Sequence, residues 1–165
     1  MNTITYLYEN SGKLNKHSWN YPNSPYYVDI KEQIEKGNQL GNLSACVFRG
    51  QFLRELPESL FDIPIADWML GVMMAQKGSL GLLKESTSVY RVNANGVWAG
   101  SGRWKKHFVM LRDADIYDTF LNKEYHKEWK RFKQNCWRNV RHNWMHYMPV
   151  WVQNIWHKMK YKLKA

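Results

Sequence analysis

Apolar or small residues recur at the α-helical period through most of the second half of the chain. The series runs Phe108, Leu111, Ala114, Tyr117, Leu121, Tyr125, Trp129, Phe132, Cys136, Val140, Trp144 and Met148. Its mean step of about 3.6 residues puts these side chains on one helix face. We therefore predict one or two long amphipathic helices between His107 and Tyr147, with Pro149 breaking or kinking the last part.

Positive charge is concentrated in the same part of the sequence. Of the formal net charge of +10, residues 123–165 supply +9, from 11 Lys or Arg against 2 Asp or Glu. Five of the nine Trp also lie there. We expect two regions, residues 1–105 and a basic, Trp-rich helical tail at 106–165.

Composition excludes several classes of protein. With 165 residues, 44% of them hydrophobic, the chain can bury the core of one domain, which argues against disorder. Cys46 and Cys136 are too far apart in sequence for a CxxC motif, and two Cys make no disulfide framework. Neither a signal peptide nor an apolar stretch of about 18 residues is found. We expect a cytoplasmic protein, either soluble or peripheral on the inner face of the plasma membrane.

The first half of the chain predicts short elements of both kinds. We expect a hairpin turning at Asn10–Lys13, a loop at 21–25, a helix at 28–36 that stops at Gly37, a buried strand at 43–49, a buried helix at 68–77, two short strands within 80–92 around Lys84–Glu85, and a turn at 93–96. The fold class is therefore α/β, a small mixed sheet with one buried helix, followed by long basic amphipathic helices.

Six short segments carry a resemblance to a known family. They are Cys46-Val47-Phe48-Arg49, Leu56-Pro57, Ile65-Ala66-Asp67-Trp68-Met69-Leu70, Gly78 to Leu82, Val89-Tyr90-Arg91-Val92-Asn93 and Gly96-Val97-Trp98. In order and spacing they resemble the acceptor half of the family-2 glycosyltransferases, inverting nucleotide-sugar enzymes of the GT-A fold. The resemblance covers roughly Tyr6 to Trp98. It implies a partial GT-A-like sheet in residues 1–105.

The resemblance makes Asp67 the catalytic base. A sugar hydroxyl is a poor nucleophile, and a carboxylate that takes its proton accelerates transfer by roughly 10²- to 10⁴-fold. The dipole of the following helix would keep Asp67 ionised. From residue type and position alone, a helix N-cap that accepts from the amides of Met69 or Leu70 is the better interpretation. One carboxylate can do both.

Two Trp residues have a substrate-binding and a structural interpretation. Trp68 would stack on a sugar face or, as the residue type favours, anchor the core. Trp98 would close over the donor site or cover the core.

Two Arg residues have equally balanced interpretations. Arg49 and Arg91 would help to neutralise a nucleotide diphosphate, since a guanidinium matches phosphate oxygens. Alternatively, they form ion pairs with Glu85, Glu55 or Asp62.

Metal ligands are poorly represented. The resemblance implies that the complete enzyme uses a divalent metal, Mg²⁺ or Mn²⁺, held by an Asp-x-Asp in a nucleotide-binding half that precedes these motifs and is absent from this chain. Asn93 stands where the family usually has His. Asp113-Ala114-Asp115 fits the Asp-x-Asp pattern but falls within the helical period, so we expect a solvated helix face. His142 and His146, four residues apart without a third ligand, predict a surface pair.

The basic tail, 123–165, has three interpretations. Trp and Lys or Arg favour an anionic membrane surface. With equal weight, the Trp stripe packs on protein, either a separate nucleotide-binding half or another copy of the chain. Nucleic acid is not expected, because no binding motif accompanies the charge.

These observations predict the C-terminal part of an inverting glycosyltransferase. It would transfer a sugar from a nucleotide-sugar donor to a sugar or lipid-linked acceptor hydroxyl, in bacterial surface polysaccharide or glycolipid synthesis. The alternative is a non-catalytic remnant or a peripheral membrane-binding module.

Overall fold

A mixed four-stranded sheet makes up the amino-terminal part of this α/β fold. The computed structural model describes residues 2–17, 20–39, 42–64, 67–96, 98, 100–142 and 148–155. The strands are β1 (Asn2–Tyr8), β2 (Lys13–Lys16), β3 (Tyr26–Val28) and β4 (Leu80–Val92), in the spatial order β2-β1-β4-β3. β1 pairs antiparallel with β2 and parallel with β4. The predicted hairpin is confirmed, and Gly12 supplies the positive φ of +64° in its turn.

The longest strand differs from its prediction. We expected two short strands around Lys84–Glu85, but residues 80–92 form one strand that changes partner along its length. Leu80–Leu82 pair antiparallel with β3, whereas β1 pairs with β4 from Leu83 onward, with register shifts near its start. The charged pair therefore lies in a register shift just after the change of partner and does not break the strand.

The predicted strand at 43–49 is wrong. Residues Leu43–Ala45 form a 3₁₀ turn, 46–49 are extended outside the sheet, and α2 (Gly50–Arg54) follows. Val47 is 92% exposed, so the apolar run does not form a continuous buried stretch. A short apolar run cannot by itself distinguish a strand from other buried segments.

Four of the described helices contribute to one core. α1 (Ile30–Glu35) begins where the Asp29 carboxylate accepts a hydrogen bond from the Glu32 amide at 2.8 Å. α3 (Asp67–Lys77) is buried, as predicted. α4 (Arg103–Phe120) and α5 (His126–His142) are joined by a turn in which Asn122 and Lys123 have positive φ. Residues 143–147, which fall in the predicted helical region, lie outside the described residues.

Aromatic rings from three helices meet in this core. Trp68 of α3 lies 5.8 Å from Tyr117 of α4 and 5.1 and 4.6 Å from Trp129 and Phe132 of α5, between ring centroids. From Leu111 to Val140 every member of the periodic series is buried except Tyr125, which is partly buried, as is Met148 further along. Phe108, at the start of the series, is 55% exposed. No described helix is long and apolar enough to span a bilayer.

Truncating the central ring should destabilise the protein strongly. We expect Trp129→Ala to lower the free energy of unfolding by about 3–5 kcal/mol, because the fully buried indole leaves a cavity among packed rings. The matched control is Phe61→Ala, since Phe61 is 68% exposed and should cost less than about 1 kcal/mol. Urea unfolding followed by circular dichroism measures both. Equal losses in the two variants would contradict the described core.

Candidate functional site

A cleft lies between the segment before α2 and the connection from α3 to β4. Its volume is about 360 Å³. Residues 46–49 form one wall and residues 77–81 another, while Phe52 of α2 and Met74 of α3 also line it. The cleft therefore brings together two of the segments that carry the sequence resemblance.

Arg49 is the charged group of the first wall. It is exposed, and its guanidinium forms no ion pair with any described residue. Glu55, one of its predicted partners, instead accepts a hydrogen bond from Lys77 Nζ at 2.7 Å. Arg49 is thus available to an anionic or hydroxyl-bearing ligand in the cleft.

Asp67 begins α3 and is partly buried. The backbone amides of Leu43 and of Asp67 itself favour its charged form, and the N-cap interpretation with Met69 or Leu70 stays a prediction. Burial raises the pKa of Asp67 above its ordinary value, and the two amides oppose that shift. Burial is the largest cause of the shift, and the prediction that the helix dipole keeps Asp67 ionised stays a prediction. A raised pKa is the direction that a general base near neutral pH requires.

Cys46 connects Asp67 to the cleft. The thiol lines the cleft, and burial, with the negative charge of Asp67 as a smaller cause, raises its pKa. Asp67 itself is not among the residues that line the cleft, and its link to the cleft is this effect of its charge on Cys46. The sequence did not suggest a role for Cys46, although it is the first residue of the Cys46-Val47-Phe48-Arg49 segment.

Trp68 has the structural role and not the substrate-binding one. It is 4% exposed, and its indole Nε1 donates to the carbonyl of Gln33 at 2.9 Å. A ring enclosed on all sides cannot stack on a sugar. The substrate-binding prediction for Trp68 is therefore wrong.

Arg91, Asn93 and Trp98 lie away from the cleft. Arg91 is near the far end of β4 from Gly81, and a ten-residue step along a strand covers roughly 30 Å. Its guanidinium pairs with Glu9, Nε to Oε1 2.9 Å, so an ion pair forms with a partner that we did not predict. The Asn93 side chain accepts from the amide of Asn95 at 2.8 Å and caps the predicted turn.

Trp98 lies beside an amine and not over the cleft. Its ring is 48% exposed, and Lys106 Nζ is 5.7 Å from the ring centroid. This distance is that of a cation–π contact. Trp98 is therefore about half exposed, and it does not line the cleft that contains Arg49.

The Asp residues considered as metal ligands, Asp113 and Asp115, both form ion pairs. Asp113 is buried and accepts from Arg112, so the expected solvated face is wrong for this residue. Asp115 is exposed and pairs with Lys133 of α5. Among the described residues, no group of three or more His, Cys, Asp or Glu side chains could hold a metal ion. His146 and the side chain of His142 lie outside what the structure describes.

Comparison with protein-family models, with curated proteins and with solved structures found no match to this chain. The resemblance to the family-2 glycosyltransferases therefore stays a prediction from the six sequence segments. The arguments that follow depend on the geometry of the cleft and on the chemistry of its side chains.

The two thiols should differ in reactivity, and Asp67 should control one of them. Removing the Asp67 charge in Asp67→Asn should lower the Cys46 pKa, raise the thiolate fraction and accelerate alkylation by iodoacetamide. Burial raises the Cys136 pKa to about 11, so Cys136 should react only on unfolding. Mass spectrometry of labelled peptides from about pH 7 to pH 10 measures both rates.

The control for this experiment is Asp62→Asn, which neutralises an exposed carboxylate nearby in sequence. It should leave the Cys46 rate unchanged. If Asp67→Asn also leaves that rate unchanged, Asp67 does not act on the cleft wall.

Proposed function

We propose that this chain supplies the acceptor-binding part and the catalytic base of an inverting, family-2-like glycosyltransferase. The observation that carries the proposal is that Asp67, a partly buried carboxylate with a raised pKa, acts on the thiol of Cys46, which lines a cleft built from two segments of the resemblance. Carboxylates with perturbed pKa values next to clefts are candidates for proton transfer. The resemblance supplies the reaction class.

In the proposed reaction, the acceptor hydroxyl oxygen attacks the anomeric carbon of the donor sugar. The bond from that carbon to the diphosphate oxygen breaks, and the nucleoside diphosphate leaves with the bonding electron pair. Asp67 takes the hydroxyl proton as the new C–O bond forms. Displacement from the opposite face inverts the anomeric configuration.

The cleft offers groups that suit a sugar acceptor. Arg49 and Ser79 provide hydrogen-bond donors, and the partly buried rings of Phe48 and Phe52 provide apolar faces. Aromatic rings with a few polar groups are typical of small-molecule sites. Phe48 or Phe52 would thus take the stacking role that Trp68 cannot fill.

The donor would be held by a separate nucleotide-binding half, together with Mg²⁺ or Mn²⁺. The described residues offer no metal-ligand group of their own, so we derive no step through the metal. The sheet supports such a partner. Leu14 pairs with Leu7 and Val89 pairs with Thr5, so the four side chains lie on one face of the sheet. On this face Leu14 is 62% exposed and Val89 is 58% exposed. Parallel strands such as β1 and β4 are normally covered on both faces.

The place of the enzyme in the cell is part of the proposal. A lipid-linked acceptor in bacterial surface polysaccharide or glycolipid synthesis would require a cytoplasmic protein at the inner face of the plasma membrane. The basic residues of 123–165 would favour that position, since anionic lipid attracts Lys and Arg.

A non-catalytic module is the second candidate. It is favoured by the separation of Arg91, Asn93 and Trp98 from the cleft, because these residues would not contribute to one substrate site. Absence of transfer in every assay, combined with retained folding and membrane binding, would support this alternative.

The base assignment is tested by Asp67→Asn in the complete enzyme. We expect transfer to fall by roughly 10²- to 10⁴-fold, because Asn cannot take the hydroxyl proton. Folding should persist, since Asn can still accept the hydrogen bond from the Leu43 amide. Release of nucleoside diphosphate from UDP- and GDP-sugars in Mn²⁺ gives the rate, and Asp62→Asn is the matched control. A folded Asp67→Asn protein with normal transfer would falsify the assignment.

The proposal that a separate half binds the donor is tested by calorimetric titration with UDP- and GDP-sugars and Mn²⁺. We expect no binding by the 165-residue chain alone and binding after a nucleotide-binding half is supplied. Binding by the chain alone would contradict the proposed division. Absence of binding in both titrations would favour the non-catalytic module.

A further inference from the structure

Three aromatic rings stand exposed on the α4–α5 pair. Trp104, Phe108 and Trp137 are 38%, 55% and 46% exposed. Trp104 and Phe108, four residues apart on α4, stack at 5.7 Å between centroids. The Trp137 ring lies edge-on to the His107 imidazole at 6.2 Å, which places it beside the same turns of α4. Single exposed apolar residues are common on proteins, but neighbouring exposed rings indicate an interaction surface.

An ion pair shows that these rings belong to one side of the helix pair. Asp115 lies seven residues, two helical turns, after Phe108, and Lys133 lies one turn before Trp137. Lys133 Nζ binds the Asp115 carboxylate across the two helices. The faces that carry the three rings are therefore adjacent and form one surface.

The exposed charge of this helix pair is positive, because its acids are paired or buried. Asp113 and Asp118 are buried, the first against Arg112 and the second 2.6 Å from His126 Nδ1. Asp115 is used by Lys133, and Glu128 is 9% exposed. The surface is left with basic side chains.

Two of these basic residues flank Trp137 on its own helix face. Lys130 lies two turns before it and Arg141 one turn after it. Both are exposed, and neither forms an ion pair with a described residue. We call the surface of Trp104, Phe108, Lys130, Trp137 and Arg141 the aromatic–basic face.

We propose that the aromatic–basic face binds the surface of an anionic lipid bilayer. Trp and Phe rings are favourable at the boundary between headgroups and acyl chains, where an apolar ring and a polar edge are both satisfied. Lys and Arg beside them are attracted by anionic headgroups. The inference deepens the membrane location proposed above by naming the surface that makes the contact, and it does not require sugar transfer, since none of the five residues lines the cleft.

The test is co-flotation of the 165-residue chain with vesicles of phosphatidylcholine, alone or with about 30% phosphatidylglycerol, at about 0.1 M NaCl. The chain should bind the anionic vesicles and not the neutral ones. Lys130→Gln with Arg141→Gln should lower the partition coefficient roughly 30-fold, which is about 1 kcal/mol for each charge. Trp104→Ser with Phe108→Ser should lower it at least about tenfold, because two rings no longer leave water.

Matched controls separate this face from general effects of charge and hydrophobicity. Lys13→Gln with Lys31→Gln removes two exposed charges elsewhere, and Tyr27→Ser with Phe61→Ser removes two rings that are 65% and 68% exposed. Both control pairs should bind vesicles like the unmodified chain. Asp67→Asn should also bind normally, so that failure of the base assignment and failure of this inference are distinguishable.

Several outcomes overturn the inference. Absence of vesicle binding does so, as does equal binding to neutral vesicles. Binding that survives both face variants but is lost on deletion of residues 149–165 assigns membrane contact to those last residues instead. Tight binding to duplex DNA that the face variants abolish, without vesicle binding, assigns the face to nucleic acid. A dimer of the unmodified chain that the face variants lose, measured by light scattering, assigns the face to a second copy of the chain.

Discussion

The enclosed indole of Trp68 fixes the relation between the core and the candidate site. Its Nε1 donates to a carbonyl of α1, and its ring packs against rings of α4 and α5, so one side chain connects four helices. Asp67 is the next residue toward the amino terminus. Because its neighbour cannot move without opening the core, the carboxylate is held at the start of α3 beside the Leu43 amide. Such support by packing is what keeps a reactive group in a defined position.

The sequence predicted those parts of the fold whose residues respond to a single regular environment. The series from Leu111 to Val140 faces one core along two helices, so its period of about 3.6 survives in the sequence. The hairpin was predictable for a similar reason, since its turn residues require special backbone angles. β4 was harder, because its two halves pair with different strands and no local pattern records which neighbour a residue has. Residues 43–49 were missed because their apolar side chains are divided between the core, the cleft and solvent.

The sequence indicated a candidate base but not which of the other candidate residues lie near it. Asp67 could be singled out from the residue type before a buried helix and from the resemblance. The position of Arg91 relative to Arg49 could not, because it depends on the direction and length of β4. Trp68 shows the opposite limit, since a Trp beside a candidate base suits both a ligand and a core, and only its enclosure by Tyr117, Trp129 and Phe132 decides between them.

The distribution of charge follows from how the helices pack. In α4 and α5 the carboxylates of Asp113, Asp115 and Asp118 are used in contacts within or between the helices. A buried carboxylate needs such partners, because desolvation without them is costly. Lys130 and Arg141 face solvent and have no such requirement, so the surplus of Lys and Arg in the sequence becomes a surplus on the surface. Water solvates the charges of an exposed cationic surface well, but it solvates the Trp and Phe rings on that surface poorly. It has most to gain from a partner that is both anionic and apolar, which is the chemistry of a lipid bilayer at its headgroup boundary.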